Sequence, residues 1–112
     1  MILICGGTND YWDNVPLGSV QYSGWTEDDF KNFLPAFCYM LDYIKRYNPG
    51  AKIVNIINDA LSDDFRNGMT TAGNHYGILN VSLSNISKMS NHPDITGMES
   101  MYEQIHDAIL LK

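Results

Sequence analysis

The sequence predicts an α/β protein built on a parallel sheet. Three short apolar runs of strand length alternate with three longer segments whose apolar residues recur at helical spacing. The order strand, helix, strand, helix, strand, helix implies right-handed crossovers between parallel strands. With 112 residues, 45% of them hydrophobic and 18% charged, the chain has the size and composition of one globular domain, residues 1–112.

The first predicted strand is Met1–Cys5, an uninterrupted apolar run that suggests burial on both faces of the sheet. Gly6 and Gly7 end it, and the small polar residues Thr8–Asp10 follow. Ligands of open parallel sheets bind where strands end at their carboxyl edge. Thr8–Asp10 are therefore either part of a functional edge, where the glycine pair lets backbone N–H groups turn toward a bound oxygen, or a polar turn after a strand.

The next segment, 11–25, shows neither helical nor strand periodicity and is rich in aromatic residues. Loops of this length in compact domains tend to be functional or to pack as Ω-loops. Tyr11, Trp12 and Tyr22 either line a substrate cleft or cover the sheet edge, and covering is the favoured interpretation.

The first helix is predicted to begin at Trp25–Thr26, where Thr26 and Asp29 have the spacing of a capping box. Its wide apolar stripe is typical of core packing. Pro35 lies inside that pattern and predicts a kink or a weak first turn.

The remaining elements follow at short intervals. They are a β-branched strand (51–58), a less regular helix (59–76), a third strand (77–83), a polar loop (84–91) and a last helix (94–112) that Asp94 or Thr96 caps. All three strands end at the same edge in this arrangement. Asn9 and the loop that bears His92 are therefore expected on one rim.

Charge and composition exclude several classes of protein. The net charge of −6, with seven scattered Lys and Arg, argues against binding to nucleic acid. No apolar run approaches ~18 residues, so no membrane span is expected. No basic segment precedes the first strand, so we expect no signal peptide and, by default, a cytoplasmic location. Cys5 and Cys38 form no C-x-x-C pair and are expected to be buried free thiols.

Metal and cofactor chemistry find no support in the sequence. His75, His92 and His106 lie far apart and form no cluster at metal-ligand spacing, so neither a metal nor a cofactor is expected. His75 and His106 are predicted to be solvated on helices. The acidic pairs Asp28–Asp29 and Asp63–Asp64 are interpreted as helix-start charges, because sequence neighbours point in different directions around a helix.

Two motifs carry a family resemblance. Gly7-Thr8-Asn9-Asp10 resembles the G-x-N-D block of the SGNH (GDSL-type) hydrolases, and Asn91-His92-Pro93-Asp94-Ile95-Thr96-Gly97-Met98 resembles their late His-Pro block. The likeness extends over essentially the whole chain and fits bacterial members. It implies a flavodoxin-like three-layer α/β/α fold and hydrolysis of a small-molecule ester or acylated carbohydrate through a serine.

The same resemblance implies roles for four residues. Asn9 matches the asparagine that stabilises the oxyanion, and His92 matches the general base that activates the serine hydroxyl. Gly7 and Asp10 are expected to support the turn that presents Asn9.

The chain also departs from the family. It begins at the third block, so relative to the family it is an N-terminally truncated domain of about three strands. It contains neither G-D-S nor G-x-S-x-G. Met89 occupies the usual acid position, three residues before the histidine. No nucleophile is identified either: Ser84, Ser87 and Ser90 do not follow a sharp strand-to-helix turn, and Cys5 lies in an apolar strand.

Two hypotheses of different class remain. The chain is part of an SGNH-type esterase whose serine comes from a missing segment or another chain, or it is a non-catalytic binding or assembly module of the same ancestry. In either case Met1–Cys5 would be an uncovered apolar edge, which proteins rarely leave exposed. We therefore expect a homodimer that pairs through this strand.

Overall fold

A parallel three-stranded sheet forms the centre of the protein. The structure is a computed structural model that describes residues 1–111. Its strands are β1 (Ile2–Cys5), β2 (Ile53–Ile57) and β3 (Leu79–Ser82), in the spatial order β1-β2-β3. Both pairings are parallel. The α/β fold with a parallel sheet is therefore confirmed.

Helices cover both faces of the sheet. The elements around it are α1 (Thr8–Trp12), a 3₁₀ turn (Glu27–Lys31), α2 (Phe33–Tyr47), α3 (Asp63–His75), a hairpin of β4 (Lys88–Met89) and β5 (His92–Pro93), and α4 (Ile95–Leu110). Helices α2 and α3 enclose one apolar core, which includes Leu41, Ile57 and Met69. Apolar residues of α4 pack on Val54 and Val81 across the other face. Strand β2, central in the sheet, is buried along its whole length.

Strand β1 differs from the prediction, because only one of its faces is buried. Ile2 and Ile4 pack against the core on the α2 side, whereas Leu3 is 53% exposed and Cys5 is exposed. The reason is that α4 covers β2 and β3 but does not extend over β1. The expectation that both cysteines are buried is therefore wrong for Cys5 and correct for Cys38.

The segment before α2 packs mostly on the α2–α3 core, whereas the favoured interpretation was that its aromatic residues cover the sheet edge. It is fixed by Phe33 N–H, which donates to the Pro16 carbonyl at 2.8 Å, and by Leu34 N–H, which donates to the Leu17 carbonyl at 2.8 Å. Half-buried aromatic rings of this region pack on the α2–α3 core, namely Tyr11, Tyr22 and Trp25. Trp12 does not follow this pattern and is 41% exposed.

The predicted first helix is divided in two. The Thr26–Asp29 capping box is present, but it starts only the 3₁₀ turn, and Asn32 is extended before α2 begins at Phe33. A continuous α-helix would bring the ring of Pro35 against the carbonyl of Lys31, four residues earlier. Beginning α2 at Phe33 places Pro35 in the first turn, where its missing N–H is tolerated.

The last third of the chain shows one further difference. The predicted polar loop 84–91 contains β4, which pairs antiparallel with β5 (Lys88 opposite Pro93). Asp94 caps α4, with its Oδ1 accepting the Gly97 N–H at 2.7 Å, as one of the two predicted alternatives. Within residues 1–111, no helix is both long and apolar enough to cross a membrane.

Candidate active site

The turn after β1 presents Asn9 at the carboxyl edge of the sheet. Gly7 has φ +92°, a left-handed conformation that favours glycine, and an added Cβ would lie 3.1 Å from Cζ of Phe33. Its carbonyl accepts the Tyr11 N–H at 3.0 Å and so starts α1. Asn9 is exposed on this short helix. Gly7 therefore makes possible the sharp turn that brings the Asn9 amide to the rim.

Asp10 points toward a different region. It is half-buried and lines a cavity of about 290 Å³ together with Gly6, Gly7 and apolar side chains of α2, including Phe33 and Phe37. Its carbonyl accepts the Val15 N–H at 2.9 Å, which closes the loop after α1. Asp10 thus belongs to the turn and the cavity wall.

Polar residues after β2 complete this edge of the sheet. Asn58 Nδ2 donates to Oγ1 of Thr8 at 2.9 Å, which joins the start of α1 to the end of β2. Asp59 follows, and its carboxylate accepts the Ile86 N–H at 3.0 Å and contacts Lys88. Asn58 and Asp59 were not predicted as site residues from the sequence. Asn58-Asp59 follows a strand just as Asn9-Asp10 does, and the same reasoning would have found it.

His92 is carried by the short hairpin. Ser90 and Asn91 both have positive φ, 51° and 67°, and form its turn. Met89 is directly opposite His92 in the antiparallel pair and is 72% exposed. A thioether is uncharged and a weak hydrogen-bond acceptor, so the residue across from His92 does not serve as its acid partner.

The hairpin brings His92 next to α1. The rings of His92 and Trp12 are nearly perpendicular, at 85°, with their centroids 6.0 Å apart. Trp12 lies three residues after Asn9, and residues at this spacing share one face of a helix. The hairpin therefore brings His92 against the helix that carries Asn9.

Of the three serines near His92 in the sequence, Ser87 uses its hydroxyl in a hydrogen bond elsewhere. Ser87 Oγ donates to Oδ2 of Asp94 at 2.6 Å, and the Ser84 N–H and carbonyl both bond the side chain of Gln104. Ser90 lies in the hairpin turn. Within the described residues, none of these hydroxyls forms a hydrogen bond with His92.

Asp94 is the nearest carboxyl to His92 in sequence, and its ionised form is stabilised locally. The hydroxyl of Ser87 and then the N–H of Gly97 donate to it and hold the pKa of Asp94 below its usual value. Its hydrogen bonds link the start of α4 to the hairpin. Asp94 is thus occupied as a helix cap.

The other two histidines lie away from this rim. His75 is exposed on α3 and stacks on Tyr22, with 3.5 Å between centroids, and His106 is exposed on α4 beside Tyr102. This agrees with the predicted solvated positions. The described part of the chain contains no group of three His, Cys, Asp or Glu placed to hold a metal ion. The acidic pairs lie at helix starts, as predicted.

Comparison with known proteins identifies the family. The sequence model described as GDSL-like lipase/acylhydrolase matches residues 1–109. The chain belongs to this family. No match was found among curated proteins.

Two solved structures share the GDSL-like fold of this chain. One is a protein of Bacteroides uniformis designated a GDSL-like lipase, with 42% identity and a TM-score of 0.96. The other, from Bacteroides ovatus and designated in the same way, has 39% identity and a TM-score of 0.96. Each match covers 99% of this chain but only 52% and 54% of the two relatives. The chain therefore spans about half the length of these GDSL-like proteins.

Proposed function

We propose that this chain supplies the oxyanion donor and the general base of an ester hydrolase acting on small-molecule esters or acylated carbohydrates. The observation that carries the proposal is the contact between His92 and Trp12, with 6.0 Å between ring centroids. It brings the His92 imidazole beside the helix that bears Asn9. Membership of the GDSL-like lipase/acylhydrolase family supports the ester class of substrate.

Each residue has a distinct role in this proposal. His92 accepts the proton of a serine hydroxyl as that oxygen attacks the ester carbonyl. The Asn9 amide donates to the oxyanion of the tetrahedral intermediate, and loss of such a donor lowers kcat by about 10²–10³-fold. Gly7 and Asp10 hold the turn that presents Asn9.

In this proposal the nucleophilic serine is supplied by another polypeptide segment or by another copy of the chain. Ser84, Ser87 and Ser90, near the histidine, make no hydrogen bond with it. The exposed edge of β1 and the cavity beside it offer a place where another segment can add to the sheet.

A second candidate function is a non-catalytic, homodimeric binding or assembly module. It is favoured by the exposed apolar side chains at the open edge of the sheet, Met1 just before β1 at 66% and Leu3 in β1 at 53%. Two copies that pair through β1 would bond the backbone groups that this edge strand leaves unpaired. Light scattering tests this second candidate, because the module requires a dimer at micromolar concentration. A monomer at that concentration would exclude it.

A chimeric protein tests the catalytic proposal. Residues 1–112 replace the matching part of the Bacteroides uniformis protein, and hydrolysis of p-nitrophenyl acetate is compared with that of the parent. We expect turnover in the chimera, and its loss by about 10²-fold or more in Asn9→Ala and His92→Ala. Asn67→Ala and His106→Ala, exposed on α3 and α4, are matched controls that keep it.

The same assay is run on the 112-residue chain alone. The proposal expects no turnover there unless another copy supplies the serine. A folded, active chimera in which Asn9→Ala and His92→Ala retain full activity would overturn the assignment of both residues.

A further inference from the structure

The hairpin that carries His92 is too short to hold its own position. Its strands β4 and β5 contribute two residues each, and among residues 1–111 they pair only with one another. A two-stranded hairpin by itself is at best marginally stable in water. The location of His92 therefore depends on contacts between the hairpin and the rest of the fold.

One such contact is an ion pair that joins Lys88 of β4 to Asp59 after β2. Lys88 Nζ lies 2.8 and 2.9 Å from the two carboxylate oxygens of Asp59 and also donates to the Ile86 carbonyl at 3.0 Å. Asp59 Oδ2 accepts the Ile86 N–H at 3.0 Å. The carboxylate thus holds both the ammonium group and the backbone that leads into the hairpin.

Burial makes this pair unlike a surface ion pair. The side chains of Lys88 and Asp59 are only 24% and 14% exposed, whereas those of Lys31 and Asp28 are 77% and 86% exposed. Burial raises the pKa of Asp59, but the Lys88 ammonium and the Ile86 N–H outweigh it and hold that pKa below its usual value. Separating the pair would leave a partly desolvated charge without its partner.

The residues of the pair are also connected to both halves of the candidate site. Asp59 directly follows Asn58, whose amide bonds Thr8 at the start of α1. Lys88 is the cross-strand partner of Pro93, the residue after His92. The Asn58–Asp59 segment therefore contacts both the helix that carries Asn9 and the hairpin that carries His92.

We propose that the Asp59–Lys88 ion pair is the positioning element that holds His92 beside α1. The effect of the ion pair on catalysis rests on the proposed function, in which His92 is the general base. Its effect on the position of His92 does not depend on that function. Asp59 and Lys88 act through His92, so they are positioning residues.

Nuclear magnetic resonance of the 12.6 kDa chain tests whether the ion pair holds His92 beside α1. In the natural protein we expect nuclear Overhauser effects between the Trp12 indole and the His92 imidazole, whose rings are in contact. Lys88→Met and Asp59→Asn should remove them, while contacts between α3 and β2 persist. Lys88→Arg should restore them, because it keeps the charge. Lys31→Met is the matched control, because it removes an exposed ion pair.

Either of two results would overturn the proposal. The first is a folded Lys88→Met or Asp59→Asn protein with unchanged Trp12–His92 effects. The second is an equal loss of these effects in Lys31→Met. If Lys88→Met fails to fold, Asp59→Asn and the Lys88→Arg comparison decide the question.

The catalytic consequence is measured in the chimera described above. There Lys88→Met should lower kcat by about 10-fold or more and leave KM nearly unchanged, because small misplacement of a catalytic group is costly. An active chimera that is indifferent to His92→Ala refutes the proposed function. In that case the nuclear Overhauser effects between Trp12 and His92 still decide whether the ion pair positions the hairpin.

Discussion

Asn55 and Asn80 are joined across β2 and β3 by a side-chain hydrogen bond of 2.9 Å, and Asn55 is completely buried. The Asn55 amide also donates to the Met69 carbonyl of α3 at 3.2 Å, and Asn80 donates to Oδ1 of Asn74 at 2.9 Å. An added Cβ at Gly73 would lie 2.0 Å from Oδ1 of Asn80. A polar network thus connects the middle of the sheet to α3, and it favours one register of β3 because a one-residue shift would turn Asn80 to the other face.

Replacing Asn80 by alanine should destabilise the fold. The buried Asn55 amide would lose its shortest hydrogen bond, and a buried group left without its partner costs about 1–3 kcal/mol. Urea denaturation followed by circular dichroism measures the loss in the free energy of unfolding. Asn67→Ala removes an exposed amide from the same region and should change that free energy by less than about 0.5 kcal/mol. Equal stability of the two variants would contradict this role of the network.

Gly97→Ala should destabilise the junction between α4 and the hairpin. An added Cβ would lie 2.0 Å from the backbone carbonyl oxygen of Ser87, which no side-chain rotation can relieve. Overpacking of this kind costs about 1–3 kcal/mol, and amide exchange in 88–93 should accelerate. Gly50→Ala is the control, since no atom lies within 4 Å of its added Cβ. A melting temperature of Gly97→Ala equal to that of Gly50→Ala would refute the prediction.

Acid should weaken the attachment of the hairpin. The folded-state pKa of Asp59 lies below its ordinary value of 3.8, because the opposing effect of burial is outweighed by Lys88 and the Ile86 N–H. A lowered folded-state pKa means that the stabilisation is complete above pH 3.8 and is lost as pH falls through the lower, folded-state value. The difference in free energy of unfolding between the natural protein and Asp59→Asn should therefore be largest near neutral pH and shrink below about pH 4.

Urea denaturation at several pH values measures that difference. Asp13→Asn removes an exposed carboxylate and controls for the loss of one negative charge. A difference that stays constant from pH 7 to pH 2.5 would show that the Asp59 carboxylate does not contribute in this way.

The two cysteines should react differently with a thiol reagent. Cys5 is exposed, whereas Cys38 is completely buried in the α2–α3 core. Ellman's reagent should modify one thiol in the folded protein and two in urea, and Cys5→Ser should remove the native reaction. Partial burial raises the pKa of the Cys5 thiol, so the reaction should be faster at pH 9 than at pH 7. Modification of both thiols at one rate in the folded state would contradict the burial of Cys38.

Local patterns predicted the elements whose cause is local. The β-branched run of β2 and the Asp94 cap of α4 are present as predicted, because β-propensity and capping depend on neighbouring residues. The capping box at Thr26 is also present, but the length of its helix was wrong. Pro35 limits that helix through a clash across one turn, a constraint the sequence also contains.

The sequence by itself determined the strand–helix alternation, the parallel sheet and the two motifs at its carboxyl edge, because periodicity and turn residues act over a few positions. Only the tertiary structure decided the rest. It left one face of β1 open, since α4 packs across β2 and β3, and it exposed Cys5. It also brought Lys88 to Asp59, and His92 to Trp12. These pairs lie far apart in the chain, and whether they meet depends on how the helices pack on the sheet.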